Sequence, residues 1–292
     1  MLLCGAPKTG STSLQTYFRD REPLLKRHGI HYPHRFFAKR DVDPIHRSFV
    51  RSRRPRERVA AIEAARARLE VFFAKDGVET ILLSNESLLG EPILQGRSRF
   101  FDQAGDALGA LGEIFRGYDV EVRYVIRSFT SYLPSYYVQS VRRGSYGSFP
   151  EFVAALDLDS LSWRPVVGLL AATFGAEVLR VFDHRALLED PDAVLQAMLL
   201  DSLGEPLPPF DAAHYRMNRS VGGPALKAAA LANRILAPLS PHSPHRRGMV
   251  TRSLVLKPLS WVLPAGKPRL PPALEAELEQ RYAAERLALV SG

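Results

Sequence analysis

The chain has 292 residues, of which 46% are hydrophobic and 24% charged, and this is the balance of an ordinary soluble globular protein. It contains no uninterrupted apolar run of about 18 to 20 residues and no signal-peptide pattern, so the sequence predicts no membrane span and favours a cytoplasmic location. The net charge of +8 favours an anionic partner, but charge alone does not choose among nucleotides, nucleic acid, acidic glycans and a lipid surface.

Much of the excess positive charge lies in two stretches, residues 47–58 and 241–252, which we predict as loops. Neither stretch has the interleaved aromatic residues of a base-stacking platform. We therefore interpret this charge as solvated loop charge, with the rim of a substrate site as the alternative.

Strand and helix patterns alternate along most of the chain. In chain order they predict a strand at residues 1–5, helices at 11–28 and 55–75, a strand at 79–84, a helix at 102–115, a strand at 120–126, a helix at 130–142, a strand at 177–182 and a helix at 192–203. Strands alternating with helices of this length predict an α/β fold of three layers, α/β/α, with a central parallel sheet. The single cysteine, Cys4, lies in the first strand, and its apolar setting predicts an inert, buried thiol.

The rest of the chain is mostly helical and rich in proline. We predict a helix at 224–236, a proline-rich loop from Pro238 to Pro268, and a last helix that begins at Pro271. No repeat or low-complexity linker divides the chain. The sequence therefore predicts one domain over residues 1–292, with a core at about 1–205 and a helical, proline-rich elaboration at about 206–292.

A glycine loop follows the first predicted strand. Gly5 and Gly10 have the spacing of a Walker phosphate loop, but Ser11 stands where that loop has its lysine. Backbone N–H groups in a glycine-rich turn, followed by the positive end of a helix dipole, form an anion cradle wherever the lysine lies. The predicted phosphate ligands are Lys8, Thr9, Gly10, Ser11, Thr12 and Ser13. The alternative is a turn that only connects strand to helix, which this run of polar residues and glycine disfavours.

An arginine follows the strand predicted at 120–126. Arg127 would lie in the crevice where parallel-sheet proteins bind their ligands, and Ser135 follows it eight residues later in the next helix. Both side chains could donate hydrogen bonds to one phosphate group. The alternative is a salt-bridged arginine and a solvent-exposed serine.

Together the two features resemble the sulfotransferases of the P-loop type that use 3'-phosphoadenosine 5'-phosphosulfate (PAPS). The stretch PKTGSTSLQ is similar to that family's 5'-phosphosulfate loop, P-K-x-G-[ST]-[ST]-x-L, and Arg127 with Ser135 is similar to its 3'-phosphate site. The resemblance implies a P-loop nucleotide-binding fold, PAPS as co-substrate, adenosine 3',5'-bisphosphate as product, and no metal.

The resemblance continues more weakly toward the C-terminus. Residues 178–204 are similar to the family's late strand and following D-P helix, and the segment RMNRSVGG is similar to its bacterial branch. The chain lacks the R-K-G-x-x-G-D-W-K segment with which the soluble animal enzymes close over the adenosine. We predict Asn218, Arg219 and Ser220 as its substitutes.

The donor implies the chemistry. A sulfuryl group would move in line to a hydroxyl or amine of the acceptor, with Lys8 neutralising charge on the leaving oxygen. Glu86, in the stretch ILLSNESLLG at the end of a predicted strand, is the first candidate for the base that accepts the acceptor's proton, and His46 is the second. A Glu86 that caps a helix or braces a loop is the alternative.

Two other classes of function stay open. A small-molecule kinase needs a lysine after the second glycine and a strand-end aspartate for magnesium, and the predicted strands end in Ser-Asn-Glu and in Arg. A non-catalytic nucleic-acid binder accounts for the charge but leaves the loop and the Arg127 and Ser135 pair unexplained, so no nucleic acid is expected. The acceptor is left open as a glycan, a lipid headgroup or a small alcohol, and peripheral contact with an anionic membrane is left open too.

Overall fold

A computed structural model of the protein describes residues 1–5, 8–33, 55–86, 88–93, 99–145, 147–203, 206–211, 223–238, 243–262 and 266–290. The chain divides into two compact units. The first comprises Met1–Arg127, Asp159–Met217 and Ala283–Gly292, and the second comprises Ser128–Leu158 and Asn218–Tyr282.

Six strands and thirteen α-helices lie in the described residues. The strands are β1 Leu2–Gly5, β2 Ile30–His31, β3 Thr80–Ile81, β4 Leu83–Ser84, β5 Val122–Ile126 and β6 Leu179–Asp183. The helices are α1 Ser11–Asp20, α2 Glu22–Arg27, α3 Pro55–Phe73, α4 Ala104–Phe115, α5 Phe129–Arg142, α6 Phe149–Ala154, α7 Arg164–Phe174, α8 His184–Glu189, α9 Pro191–Leu203, α10 Gly223–Leu236, α11 Pro244–Thr251, α12 Lys257–Val262 and α13 Pro272–Leu289. A 3-10 turn at Leu158–Ser160 and a π-helix at Arg252–Leu256 complete the order.

The first unit is built on a parallel sheet with the strand order β4-β1-β5-β6. Leu2 in β1 lies opposite both Leu83 in β4 and Val122 in β5, and β6 pairs with β5 in the same direction. All five residues of β5 are buried, as expected of a central parallel strand covered by helices on both faces. The predicted α/β fold with a central parallel sheet is therefore confirmed.

Alternate residues of the central strands build two apolar layers in the first unit. On one face Leu3 and Val125 belong to a buried cluster with side chains of α1 and α9, among them Phe18 and Met198. Sheet residues that alternate in this way place successive side chains on opposite faces. The buried indole of Trp163 accordingly contacts the ring of Tyr124, the neighbour of Val125 in β5.

Two predicted elements are each divided in the structure. The helix predicted at residues 11–28 stops at Asp20 and restarts at Glu22, because Pro23 has no N–H to donate and fits only the first turn of a new helix. The strand predicted at 79–84 becomes β3, which pairs with β2, and β4, which pairs with β1. Each half of that apolar run therefore serves a different sheet.

Residues 244–262 are helical where we predicted a proline-rich loop. Here α11, the π-helix and α12 follow one another without a break in the second unit. Pro244 is the first residue of α11, where a missing N–H is tolerated. Pro258 follows the π-helix, in which the N–H of Lys257 donates to the carbonyl of Arg252, five residues back. The backbone hydrogen bonds have thus already changed from the α-helical to the π-helical pattern before Pro258, which has no N–H to donate.

Short helices were also missed by the sequence patterns. Helix α6 has only six residues, but Ser148 and Glu151 form a capping box at its start, with Ser148 Oγ accepting from the Glu151 N–H and Glu151 accepting from the Ser148 N–H. The S-x-x-E spacing was the signal that could have identified it.

The predicted state of Cys4 is confirmed. The thiol is buried in β1, and desolvation raises its pKa to about 12. Across the residues that the structure describes, no helix combines the length and the apolar character needed to cross a bilayer.

The Trp163 indole N–H donates to the backbone carbonyl of Arg127 over 2.9 Å, and both groups are buried. Trp163→Phe removes the donor and leaves a buried carbonyl without it, which we expect to lower the free energy of unfolding by about 1 to 3 kcal/mol. Urea unfolding followed by circular dichroism measures this cost. Trp261→Phe is the matched control, because the Trp261 side chain is 89% exposed and its change should stay within about 0.5 kcal/mol. Equal costs for the two variants would contradict the role of the indole hydrogen bond.

Candidate functional site

The four strands of the main sheet run parallel, so their carboxyl ends meet at one edge of the first unit. The residues that follow those ends are the loop after Gly5 in β1, Asn85 after β4, Arg127 after β5, and His184 after β6. Ligands of open α/β sheets bind outside this edge. The predicted loop, Arg127 and Glu86 are therefore associated with the edge that the fold class uses for binding.

The strand order also places a topological switch point between β1 and β5. The chain leaving β1 returns to the main sheet as β4, on one side of β1, whereas the chain leaving β5 returns as β6, on the other side. Neighbouring strands whose outgoing connections diverge open a crevice at their carboxyl ends. The loop containing Lys8 follows one of these strands and Arg127 follows the other.

The backbone of the loop has an unusual conformation. Lys8 has a φ of 77° and Gly10 a φ of 89°, so two residues of this turn are left-handed. Such a conformation is strained for lysine, which has a Cβ, and strain of this kind concentrates at ligand-binding turns. Gly10 is also the N-cap of α1, whose first turn has no acidic residue, and Ser11, Thr12 and Ser13 form that first turn. The positive end of α1 is therefore uncompensated by a carboxylate in its own first turn.

Gly5 allows the loop to fold back on the strand. A Cβ on Gly5 would lie 2.8 Å from Thr9 Oγ1 and 3.2 Å from the carbonyl oxygen of Val125. Thr9 is itself buried. The glycine is thus required by a close approach between the turn and β5.

Arg127 contacts the loop directly. Its Nη1 donates a hydrogen bond to the backbone carbonyl of Lys8, and its own carbonyl is held by Trp163. The Arg127 side chain is only 8% exposed. The two sequence-predicted cations Lys8 and Arg127 are therefore brought together within the first unit, by a contact that involves the main chain of Lys8 and not its ammonium group.

Glu86 is joined to the helix that follows the loop. The amide of Gln15, in α1, donates to the Ser84 carbonyl over 3.2 Å and to Glu86 Oε2 over 3.1 Å. Gln15 is buried and Glu86 half-buried. This contact is the brace that the sequence left open as an alternative, and the role of Glu86 as a base stays a prediction.

Other predicted site residues are placed elsewhere or fall outside the description. Ser135 is buried on α5 in the second unit, and the prediction that it shares a phosphate with Arg127 stays a prediction. His46 and the segment of Asn218, Arg219 and Ser220 lie outside the residues that the structure describes. In the described residues no three His, Cys, Asp or Glu side chains are grouped as metal ligands.

Helix α8 supplies two neighbours of the loop that sequence reasoning missed. A Cβ built on Gly10 would lie 3.2 Å from Leu187 Cδ2 and 3.7 Å from His184 Cδ2. Both side chains are buried. The position of His184, directly after a strand that ends at the binding edge, was the sequence signal that could have identified it.

Asp183 fixes the start of α8. Its Oδ1 accepts from the Arg185 N–H over 2.9 Å, and its Oδ2 lies 2.8 Å from Nε of Arg286. The carboxylate is buried, with 2% of its surface exposed. Asp183 therefore acts as a helix cap and ion-pair partner at the end of β6.

The contact between α8 and Gly10 predicts an asymmetry between two glycine substitutions. Gly10→Ala places a Cβ at positive φ and against Leu187, whereas Gly77→Ala meets the same backbone strain at a φ of 71° with no atom within 4 Å. The backbone strain should cost about 1 to 2 kcal/mol at either position, and Gly10→Ala should cost more. Urea unfolding of the two variants measures the difference, and equal losses would show that α8 does not press on the loop.

The chain was compared with protein families, curated proteins and solved structures. No protein-family model matches the sequence, and no curated protein matches it. Among solved structures, the chain is similar to the crystal structure of a sulfotransferase from Alicyclobacillus acidocaldarius, with a TM-score of 0.45 and 17% sequence identity over 88% of this chain and 96% of that chain.

Proposed function

We propose that the protein is a sulfotransferase that moves a sulfuryl group from PAPS to a hydroxyl or amine of an acceptor. The observation that carries the proposal is the loop PKTGSTS, in which the strained Lys8 precedes the glycine that begins α1. Its carbonyl is bound by Arg127 from the neighbouring strand end. A cation and a helix N-terminus at one switch point favour a dianionic nucleotide end group.

The loop supplies two kinds of positive potential to the phosphosulfate. The N–H groups of the first turn of α1 offer donors to nonbridging oxygens, because a helix start leaves four such groups without helical partners. The Lys8 ammonium adds a full positive charge, which we propose lies beside the oxygen that bridges phosphorus and sulfur. The left-handed turn at Lys8 fixes where the side chain leaves the backbone.

The proposed transfer breaks the bond between sulfur and the bridging oxygen and forms a new bond from sulfur to the acceptor oxygen or nitrogen. The electron pair of the broken bond stays on the leaving adenosine 3',5'-bisphosphate, and Lys8 stabilises its charge. The proton of the acceptor passes to a base, for which Glu86 and His46 are our candidates. The hydrogen bond from Gln15 would hold the Glu86 carboxylate at the end of β4 and leave its second oxygen to face the acceptor.

Arg127 is proposed to bind the sulfuryl donor and to hold the loop in place. A guanidinium has five N–H donors, and Nη1 serves the Lys8 carbonyl. We propose that Arg127 contacts the 3'-phosphate of the bound donor while keeping the loop in place. Loss of this side chain would then affect donor affinity through the phosphate and through the loop.

A P-loop kinase is less well supported. Ser11 occupies the position of the Walker lysine, and the strand-end carboxylate Asp183 is engaged by α8 and Arg286. Within the described residues the site therefore offers a phosphate loop, while its strand-end aspartate is already engaged as a helix cap and ion-pair partner.

The first functional prediction concerns donor binding. Adenosine 3',5'-bisphosphate should stabilise the protein by about 2.7 kcal/mol at a hundredfold excess over its dissociation constant, because it binds only the folded state. Thermal unfolding with the bisphosphate, with 5'-AMP and with ATP plus magnesium measures the preference. Equal stabilisation by 5'-AMP would reject the 3'-phosphate assignment, and a preference for ATP with magnesium would favour the kinase.

The second functional prediction separates the two cations. Lys8→Ala keeps the carbonyl that Arg127 binds but removes the charge at the leaving oxygen, so turnover should fall by about 10² or more with donor affinity largely retained. Arg127→Ala should mainly raise the dissociation constant of the bisphosphate. Steady-state kinetics and calorimetric titration of both variants test this split, and full turnover of Lys8→Ala at saturating donor would reject the mechanism.

A further inference from the structure

A continuous helical segment of the second unit exposes apolar side chains to solvent. It runs from Pro244 to Val262 through α11, the π-helix and α12. The exposed fractions are 52% for Met249, 45% for Val250, 73% for Leu254 and 89% for Trp261. Single exposed apolar residues are ordinary, but a row of them along one helix marks an interaction surface.

The opposite side of this segment is fixed to the second unit. Arg247 is buried and donates to the Gly144 carbonyl over 3.2 Å. A Cβ on Gly248 would lie 2.5 Å from the Arg142 carbonyl oxygen, so the helix packs closely on the end of α5. Thr251 and Leu256 are buried as well. The exposed row is therefore the outward face of an anchored helix.

The outward face continues from α11 through the π-helix into α12. Arg246, Val250, Leu254, Lys257 and Trp261 follow one another at spacings of three or four residues. All five are exposed. We call the set Arg246, Met249, Val250, Leu254, Lys257 and Trp261 the outward face.

The sequence around the outward face carries the basic character of the whole chain. Residues 212–274 contain ten lysines and arginines and no aspartate or glutamate, so this segment has a charge of +10 within a chain of net charge +8. The other residues together have a charge of −2, since 29 lysines and arginines oppose 31 acidic residues there. A partner of this face must therefore be anionic as well as able to cover apolar side chains.

We propose that the outward face docks on the surface of an anionic lipid bilayer. Arg246 and Lys257 would contact lipid phosphates, Trp261 would lie at the level of the headgroups, and Leu254 would enter the boundary of the acyl chains. This inference stands apart from the proposed enzymatic activity, because it uses none of the residues of the loop.

Two other partners fit the outward face less well. A second copy of the chain meeting this face across a two-fold axis would place cations against cations, and residues 212–274 contain no acidic residue to pair with them. Nucleic acid would satisfy the cations, but Trp261 is the single ring of the outward face, and Met249, Val250 and Leu254 offer no surface on which a base can stack.

Binding of the full chain to vesicles tests the proposal. The protein should sediment with vesicles of phosphatidylcholine and phosphatidylglycerol in equal parts and not with phosphatidylcholine alone. Salt at about 1 M should weaken the binding, because the Debye length falls to about 3 Å. Trp261 provides a second measurement, since its emission should shift to the blue on binding while Trp163 is buried from the start.

Matched variants assign the binding to the outward face. Arg246→Gln combined with Lys257→Gln should weaken binding by about thirtyfold, since each cation near the surface contributes about fivefold. Arg56→Gln combined with Arg164→Gln makes the same change in net charge at exposed positions of the first unit and should leave binding nearly unchanged. Leu254→Ser should weaken binding, and Leu287→Ser, at an 86% exposed residue of α13, should not.

Several outcomes would overturn the proposal. They are equal binding to neutral and anionic vesicles, equal loss in the face variants and their controls, or failure to bind vesicles. A concentration-dependent dimer that Leu254→Ser abolishes would identify a second copy as the partner, and oligonucleotide binding without vesicle binding would identify nucleic acid. Stabilisation by the bisphosphate is measured on the same variants and should be unchanged, so a failure here is separable from a failure of the proposed activity.

Discussion

The hydrogen bond from Arg127 to the Lys8 carbonyl connects the loop to the fold. Arg127 directly follows β5, and its own carbonyl is held by the buried indole of Trp163, so the loop is tied to the core through two successive hydrogen bonds. A left-handed lysine would not keep its conformation without such support. The first unit thus uses the end of one central strand to hold the turn that leaves the next.

The opposite side of the loop helix is held in a comparable way. Gln15 binds Ser84 and Glu86 at the end of β4, while Leu187 and His184 of α8 lie against Gly10. The start of α1 is therefore surrounded by the ends of three other strands or their helices. This arrangement preorganises the backbone donors of the loop, which is what the proposed transfer requires for charge stabilisation.

The local patterns of the sequence predicted the parallel sheet and the position of the glycine loop, because alternation and glycine spacing depend on neighbouring residues. They did not predict that residues 79–84 would divide between two sheets, since that depends on pairing with β1 and β2. Nor did they identify the helix around Pro258, where a π-helix accommodates the proline. The contact of α8 with Gly10 is likewise a tertiary contact between residues distant in sequence, so no local pattern predicts it.

Cys4 lies one residue before Gly5, at the start of the loop, but its buried thiol is unreactive. Burial raises the pKa of Cys4 to about 12, so its thiol stays protonated at neutral pH. Oxidants and alkylating reagents attack the thiolate, so the folded protein should tolerate them without change at the candidate site. The same inertness makes the native chain a convenient host for labels, because a cysteine introduced on its surface would react alone.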